Sequence, residues 1–161
     1  MARLELVRTF YESVVSKHRL ENLPRFIGAD CVLRQGERTV PLGPAGMARH
    51  LTDLRETYPD YTVRILRQHC DGPYVISECV MEGTHLGPWP GTVPTGTHLT
   101  FTGVNVDRVE HGKIVEHGGA VNTFEPLWEA GIIRPTASQR CSPRRRAPRS
   151  YRAPPGPRSR R

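Results

Sequence analysis

The chain has no apolar run long enough to span a membrane, no CxxC pair, no Cys/His spacing of the kind that holds a metal, and few aromatics at 7%. The opening stretch Leu4 to Tyr11 is interrupted by Glu5 and Arg8, so it does not read as a signal peptide either. Four cysteines are scattered at Cys31, Cys70, Cys79 and Cys141. Cys70 and Cys79 lie in strand-like runs and read as small core hydrophobes. The expectation is a reduced, soluble, cytoplasmic protein without a membrane partner and without a metal.

Acidic residues are missing from the last 28 positions, where ten arginines lie between Arg134 and Arg161. They account for the net charge of +7, since the chain up to Ile133 carries 13 basic against 16 acidic side chains. Residues 1–133 therefore read as one ordinary, mildly acidic domain. Residues 134–161, rich in Arg, Pro and Ser, lack the apolar content to offset the entropy of ordering and read as a disordered tail. Their composition is what GC-rich codons supply, and an extension of no function is favoured over an arm for nucleic acid.

Apolar residues recur at helical spacing from Ala2 to about His18, through Leu4, Leu6, Val7, Phe10, Tyr11, Val14 and Val15. Leu20 to Ile27 forms a short helix or turn. A short hairpin follows around Gly36-Glu37, from Asp30 to Gln35 and Arg38 to Leu42. Gly43-Pro44 then starts a helix to about Thr57 with Met47, Leu51 and Leu54 on its buried side. His50 and Asp53, three apart on this helix, read as a solvated pair.

Tyr61 to Cys70 and Tyr74 to His85 read as strands joined at Asp71-Gly72. The inward side of the second carries Val75, Ser77, Cys79, Met81, Gly83 and His85. A rigid loop holding Trp89 comes next, and Phe124 to Ala130 adds a terminal helical turn. Helices gathered on one side of an antiparallel sheet make an α+β architecture. A sheet curled around them forms a cone with one deep pocket, its mouth toward the loop from His85 to Gly96.

The longest strands lie in Thr97 to Asn122, folded on Glu110-His111-Gly112. A three-residue turn closed by a left-handed glycine opposes Val109 to Lys113, and hence Asp107 to Val115, Asn105 to His117, Gly103 to Gly119 and Phe101 to Val121. These share one face, a combination that suits a cavity wall: glycines leave room, apolar groups line it, and the opposed Asn105 and His117 orient a ligand. Asn105 and His117 satisfying one another within the sheet is the alternative. Asp107, close to the turn, reads as solvated.

In order, Gly83-Thr84-His85, Pro94-Thr95-Gly96, Asp107-Arg108 and His111-Gly112-Lys113-Ile114-Val115-Glu116-His117 make the chain resemble the SnoaL-like polyketide cyclases of the nuclear-transport-factor-like cone superfamily, over roughly Leu4 to Glu129. The resemblance implies the cone fold and aldol ring closure of a polyketide ester without metal or organic cofactor. Family members use an aspartate in an EHWD sequence and a histidine on the neighbouring strand. Here the matching run is Glu116-His117-Gly118-Gly119, so the aspartate's place is Gly119, and Asn105 stands where the histidine would be. Members associated with polyketide hydroxylation also lack that aspartate, and the chain is more similar to them on this criterion.

The expected function is a cofactor-free tailoring enzyme acting on an aromatic, anthracycline-type polyketide by hydroxylation. Aldol cyclisation and a non-catalytic binding module or auxiliary oxygenase subunit are the alternatives. His117 is the expected proton-transfer group, with Asn105 orienting it or donating to a substrate oxygen. His85 and Trp89 are expected at the mouth, Trp89 stacking on a flat ring. Tyr11, Met81, Phe101, Gly103, Gly119 and Val121 are expected to contact substrate. A homodimer or higher homo-oligomer is expected, with a reductase or oxygenase as a further partner. Epoxide hydrolysis is disfavoured because Asp107 and Arg108 point to opposite faces.

Overall fold

The computed structural model describes residues 2–89 and 92–134. The expected disordered tail falls almost wholly on residues outside these. Helix α1, Arg3–Thr9, runs directly into a π-helical turn, Phe10–Val15, and a short 3-10 turn, Leu20–Asn22, leads to α2, Leu23–Phe26. Strands β1 (Ile27–Gln35) and β2 (Arg38–Pro41) precede α3 (Gly43–Thr57), and β3 (Thr62–Asp71), β4 (Tyr74–Thr84), β5 (His98–Glu110) and β6 (Lys113–Asn122) precede α4 (Phe124–Glu129). All six strands form one curved, unclosed sheet in the order β2-β1-β6-β5-β4-β3. This is the α+β cone expected, with one departure: β1 and β6 are parallel.

Alternation explains the sheet's concave side. On β4 the buried positions Val75, Ser77, Cys79, Met81 and Gly83 are every second residue, as the pattern predicts. The N-terminal helix lays Leu6, Val7, Phe10, Tyr11, Val14 and Val15 into this concavity. Complete burial of a Val or Phe stabilises by about 1.5–3 kcal/mol, so this stripe is the main reason the helix docks. The regular helix expected to His18 changes pitch at Phe10, and Ser16 N–H donates to Tyr11 O five residues back at 3.0 Å. Ser16 then ties the helix end to β3, its Oγ accepting from Val63 N–H at 2.8 Å and donating to Val63 O at 3.0 Å.

The β5–β6 hairpin differs from the expected register. Its turn has two residues, His111 and Gly112, with φ of 49° and 73°, which suits the right-handed twist of the flanking strands. Glu110 thus faces Lys113 and Val109 faces Ile114, and a bulge between Arg108 and Val109 then skips Val115. Beyond the bulge Asp107 faces His117, Asn105 faces Gly119 and Gly103 faces Val121. The β3–β4 turn also moves by one residue, to Gly72-Pro73.

Candidate active site

The bulge places a carboxylate beside an imidazole. Asp107 is fully buried, and its Oδ1 accepts a hydrogen bond from His117 Nδ1–H at 2.8 Å. Tyr11 O–H donates to Asp107 Oδ2, also at 2.8 Å, and lies 3.4 Å from His117 Nδ1. The expectation of a solvated Asp107 is corrected here: proximity to the turn in sequence does not expose it, because the N-terminal helix covers it. Burial, and next the Asp107 charge, push the Tyr11 phenol well above its ordinary pKa, so it stays protonated and donates. With Nδ1–H committed to Asp107, the lone pair of His117 lies on Nε2. The His117 side chain keeps 14% of its surface accessible and lines a cavity.

That cavity has two adjoining compartments. The inner one, about 440 Å³, is bounded by Tyr11, Asn105, His117 and Gly119, with Gln35 and Gly36 of the β1–β2 turn. The outer one, about 240 Å³, is mainly apolar and is bounded by Tyr58, Trp89, Phe101 and Thr123. His50, Leu54, Tyr61, Met81 and Val121 line both. Tyr11, Met81, Trp89, Asn105, Phe101, His117, Gly119 and Val121 are thus all brought to the cavity. Among its described residues the loop from His85 to Gly96 reaches the outer compartment through Trp89, and the inner one meets an element that the sequence did not point to.

Three expected placements do not hold. Asn105 does not meet His117, since it faces Gly119 and its Nδ2 donates to Cys79 Sγ at 3.6 Å. Gly103 lines neither compartment: a Cβ there would lie 2.7 Å from Met81 Cε, so the glycine makes room for the methionine. His85 is fully buried behind Tyr58 and Trp89, with Nδ1 hydrogen-bonded to Thr95 Oγ1 at 3.2 Å, and forms no part of the cavity wall. It supports the Trp89 loop from beneath.

Gly119 is more than a missing acid. A Cβ at this position would lie 2.4 Å from Val104 O and 2.7 Å from Asn105 Oδ1, so Asn105 fills the space that a side chain at 119 would need. Arg34, which also lines the cavity, forms a two-pronged ion pair with Glu116, at 2.6 and 3.1 Å, which holds the Glu116 carboxyl below the usual range. Burial, and then Asp107, push the Cys79 thiol up to about 11, leaving it protonated. Among the described residues no three His, Cys, Asp or Glu side chains converge as metal ligands would. No helix among them is long and apolar enough to cross a membrane.

A curved sheet covered by helices, with a Tyr-Asp-His network opening into a cavity, defines a cone-shaped α+β protein. The chain belongs to the SnoaL-like polyketide cyclase family, whose model matches residues 5–127. Solved structures agree. IdmH of Streptomyces antibioticus, a candidate polyketide cyclase, is 26% identical over 79% of this chain and 96% of its own, with a TM-score of 0.68. AclR of Streptomyces galilaeus, a candidate hydroxylase, is 21% identical over 81% and 96%, with a TM-score of 0.70. A candidate polyketide cyclase of Acidithiobacillus ferrooxidans is 20% identical over 80% and 93%, with a TM-score of 0.72. No curated protein matches this chain.

Proposed function

We propose that this protein is an acid–base enzyme that removes a proton from an enolisable aromatic polyketide, with His117 as the base. The observation that carries the reading is the Asp107–His117 pair: a buried carboxylate holds Nδ1–H and leaves Nε2 free to take a proton from a substrate in the cavity. Asp107 also stabilises the imidazolium that forms. Asn105 meets a substrate oxygen on the same wall, and the Trp89, Tyr58 and Phe101 rings receive the flat apolar end of the molecule.

The carbanion so formed leads to hydroxylation. It attacks O₂, and a partner reductase supplies the two electrons that complete insertion of one oxygen and release of water. Gly119 favours this over aldol closure, since position 119 offers no carboxyl beside His117 to protonate the new alkoxide. The family membership keeps cyclisation as the second reading. Exposed Val104 and Val106 on the outward face of β5 support self-association, which sedimentation would test.

The test is incubation of the full-length protein with an anthracycline-type intermediate, in air and without it, with and without a reductase, followed by product mass. A gain of one oxygen only in air supports hydroxylation. An isobaric product, or loss of water or methanol, in either atmosphere points to cyclisation. His117→Ala is expected to abolish both, and an unimpaired variant would sink the assignment of the base.

A further inference from the structure

The cavity wall contains two histidines, and proton abstraction uses one. His50 lies on α3 among Met47, Leu51 and Leu54, the helical stripe that closes the cavity opposite the sheet. It is the polar member of that stripe, and it lines both compartments. A molecule long enough to occupy both must therefore pass His50. His50 and Asp53 are both exposed, as expected from their spacing, with no hydrogen bond between them among the described residues, and His50 also lines the cavity.

We propose, building on His117 as the base, that His50 is the hydrogen-bond donor to the substrate oxygen on which negative charge develops when His117 removes the proton. The C–H proton passes to His117 Nε2, the C–H electron pair becomes the enolate, and a ring N–H of His50 donates to the enolate oxygen without giving up its proton. The protonation state suits this. Although more than a third of the residue is solvent-accessible, burial against the cavity lowers the pKa of the imidazole, and the charge of His117 lowers it further while Asp53 opposes. A neutral imidazole remains a donor. It also leaves His117 free to take up a proton, because two imidazolium groups in one cavity would repel.

The experiment measures the anaerobic exchange of the acidic methylene protons of anthrone, a flat enolisable probe, in deuterated buffer with the full-length protein. His50→Ala is expected to slow exchange on the order of 100- to 1,000-fold at saturating probe, with apparent KM changed less than about threefold. His50→Gln, which keeps an N–H donor, is expected to recover at least about tenfold of that loss. Binding of 2-naphtholate, an enolate mimic, is expected to move the ring N–H resonance of His50 downfield in labelled wild-type protein. If His117→Ala abolishes exchange while His50→Ala stays within about threefold of wild type, the donor role is overturned and His117 stands. Equal impairment of the Ala and Gln variants, or an unmoved His50 resonance, also overturns it. Unimpaired exchange in the His117 variant removes both assignments.

Discussion

Asp107→Asn separates orientation of the base from construction of the site. Asp107 accepts from Tyr11 O–H and from His117 Nδ1–H, each at 2.8 Å. An asparagine of the same shape can accept from only one of them through its oxygen. If Tyr11 keeps that oxygen, the amide N–H₂ faces Nδ1 and requires it to be the acceptor. His117 then carries its proton on Nε2 and has no lone pair for the substrate. Two charge-assisted hydrogen bonds become neutral ones, a loss of about 1 kcal/mol each, partly offset by removing a buried charge, so the fold is expected to lose no more than about 2 kcal/mol. Activity should fall far more, by about 10²- to 10⁴-fold, the upper end being what a wrong tautomer costs a Ser-His-Asp triad. Anthrone exchange gives the rate and thermal unfolding gives the stability. Exchange within about threefold of wild type would refute the dependence of His117 on Asp107.

Tyr11→Phe removes one donor from Asp107 and is expected to destabilise by about 1.5–3 kcal/mol in chemical denaturation, with exchange reduced about tenfold. Gly119→Asp is not expected to create a cyclase: its Cβ falls 2.4 Å from Val104 O, and a stability loss of about 1–3 kcal/mol without ring closure should be seen by thermal unfolding and product mass. Because His50 has a lowered pKa in the folded state, its contribution to stability is present above pH 6.5 and is lost as pH falls below it, so His50→Gln should flatten that part of a stability–pH curve. Glu116 behaves likewise from pH 4.5 downward, and Glu116→Gln should remove that lower segment. Burial raises the pKa of Tyr11 and Tyr61, so stability should fall above pH 10 as the unfolded chain ionises first, with a smaller fall in Tyr61→Phe.

The order of elements was legible in the sequence because each has a local cause. The N-terminal stripe and the alternation on β4 are hydrophobic periodicities, and Gly36, Gly72 and Gly112 mark turns through positive φ. Much of the cavity was legible for the same reason. Side chains sharing a face of β5 or β6 do so by alternation, so the sequence alone puts Phe101, Asn105, His117, Gly119 and Val121 on the cavity side, whatever their partners. Gly103 is the exception, because a glycine leaves space without indicating which neighbour fills it, and here Met81 does.

What the chain determined alone, then, is its elements, the concave face of its sheet and the presence of His117 on that face, all consequences of local periodicity and turn chemistry. The tertiary structure decided which groups meet. A two-residue turn and one bulge brought His117 to Asp107, an outcome of backbone pairing that side-chain spacing does not encode. The Tyr11 hydroxyl, 96 residues away from Asp107, arrives only because the helix docks in the concavity, and that docking turns a carboxylate beside a hairpin turn into a fully buried one. His50 reaches the cavity by the packing of α3 against the same concavity. Distances of this kind are properties of the assembled layers, and they place the chemistry.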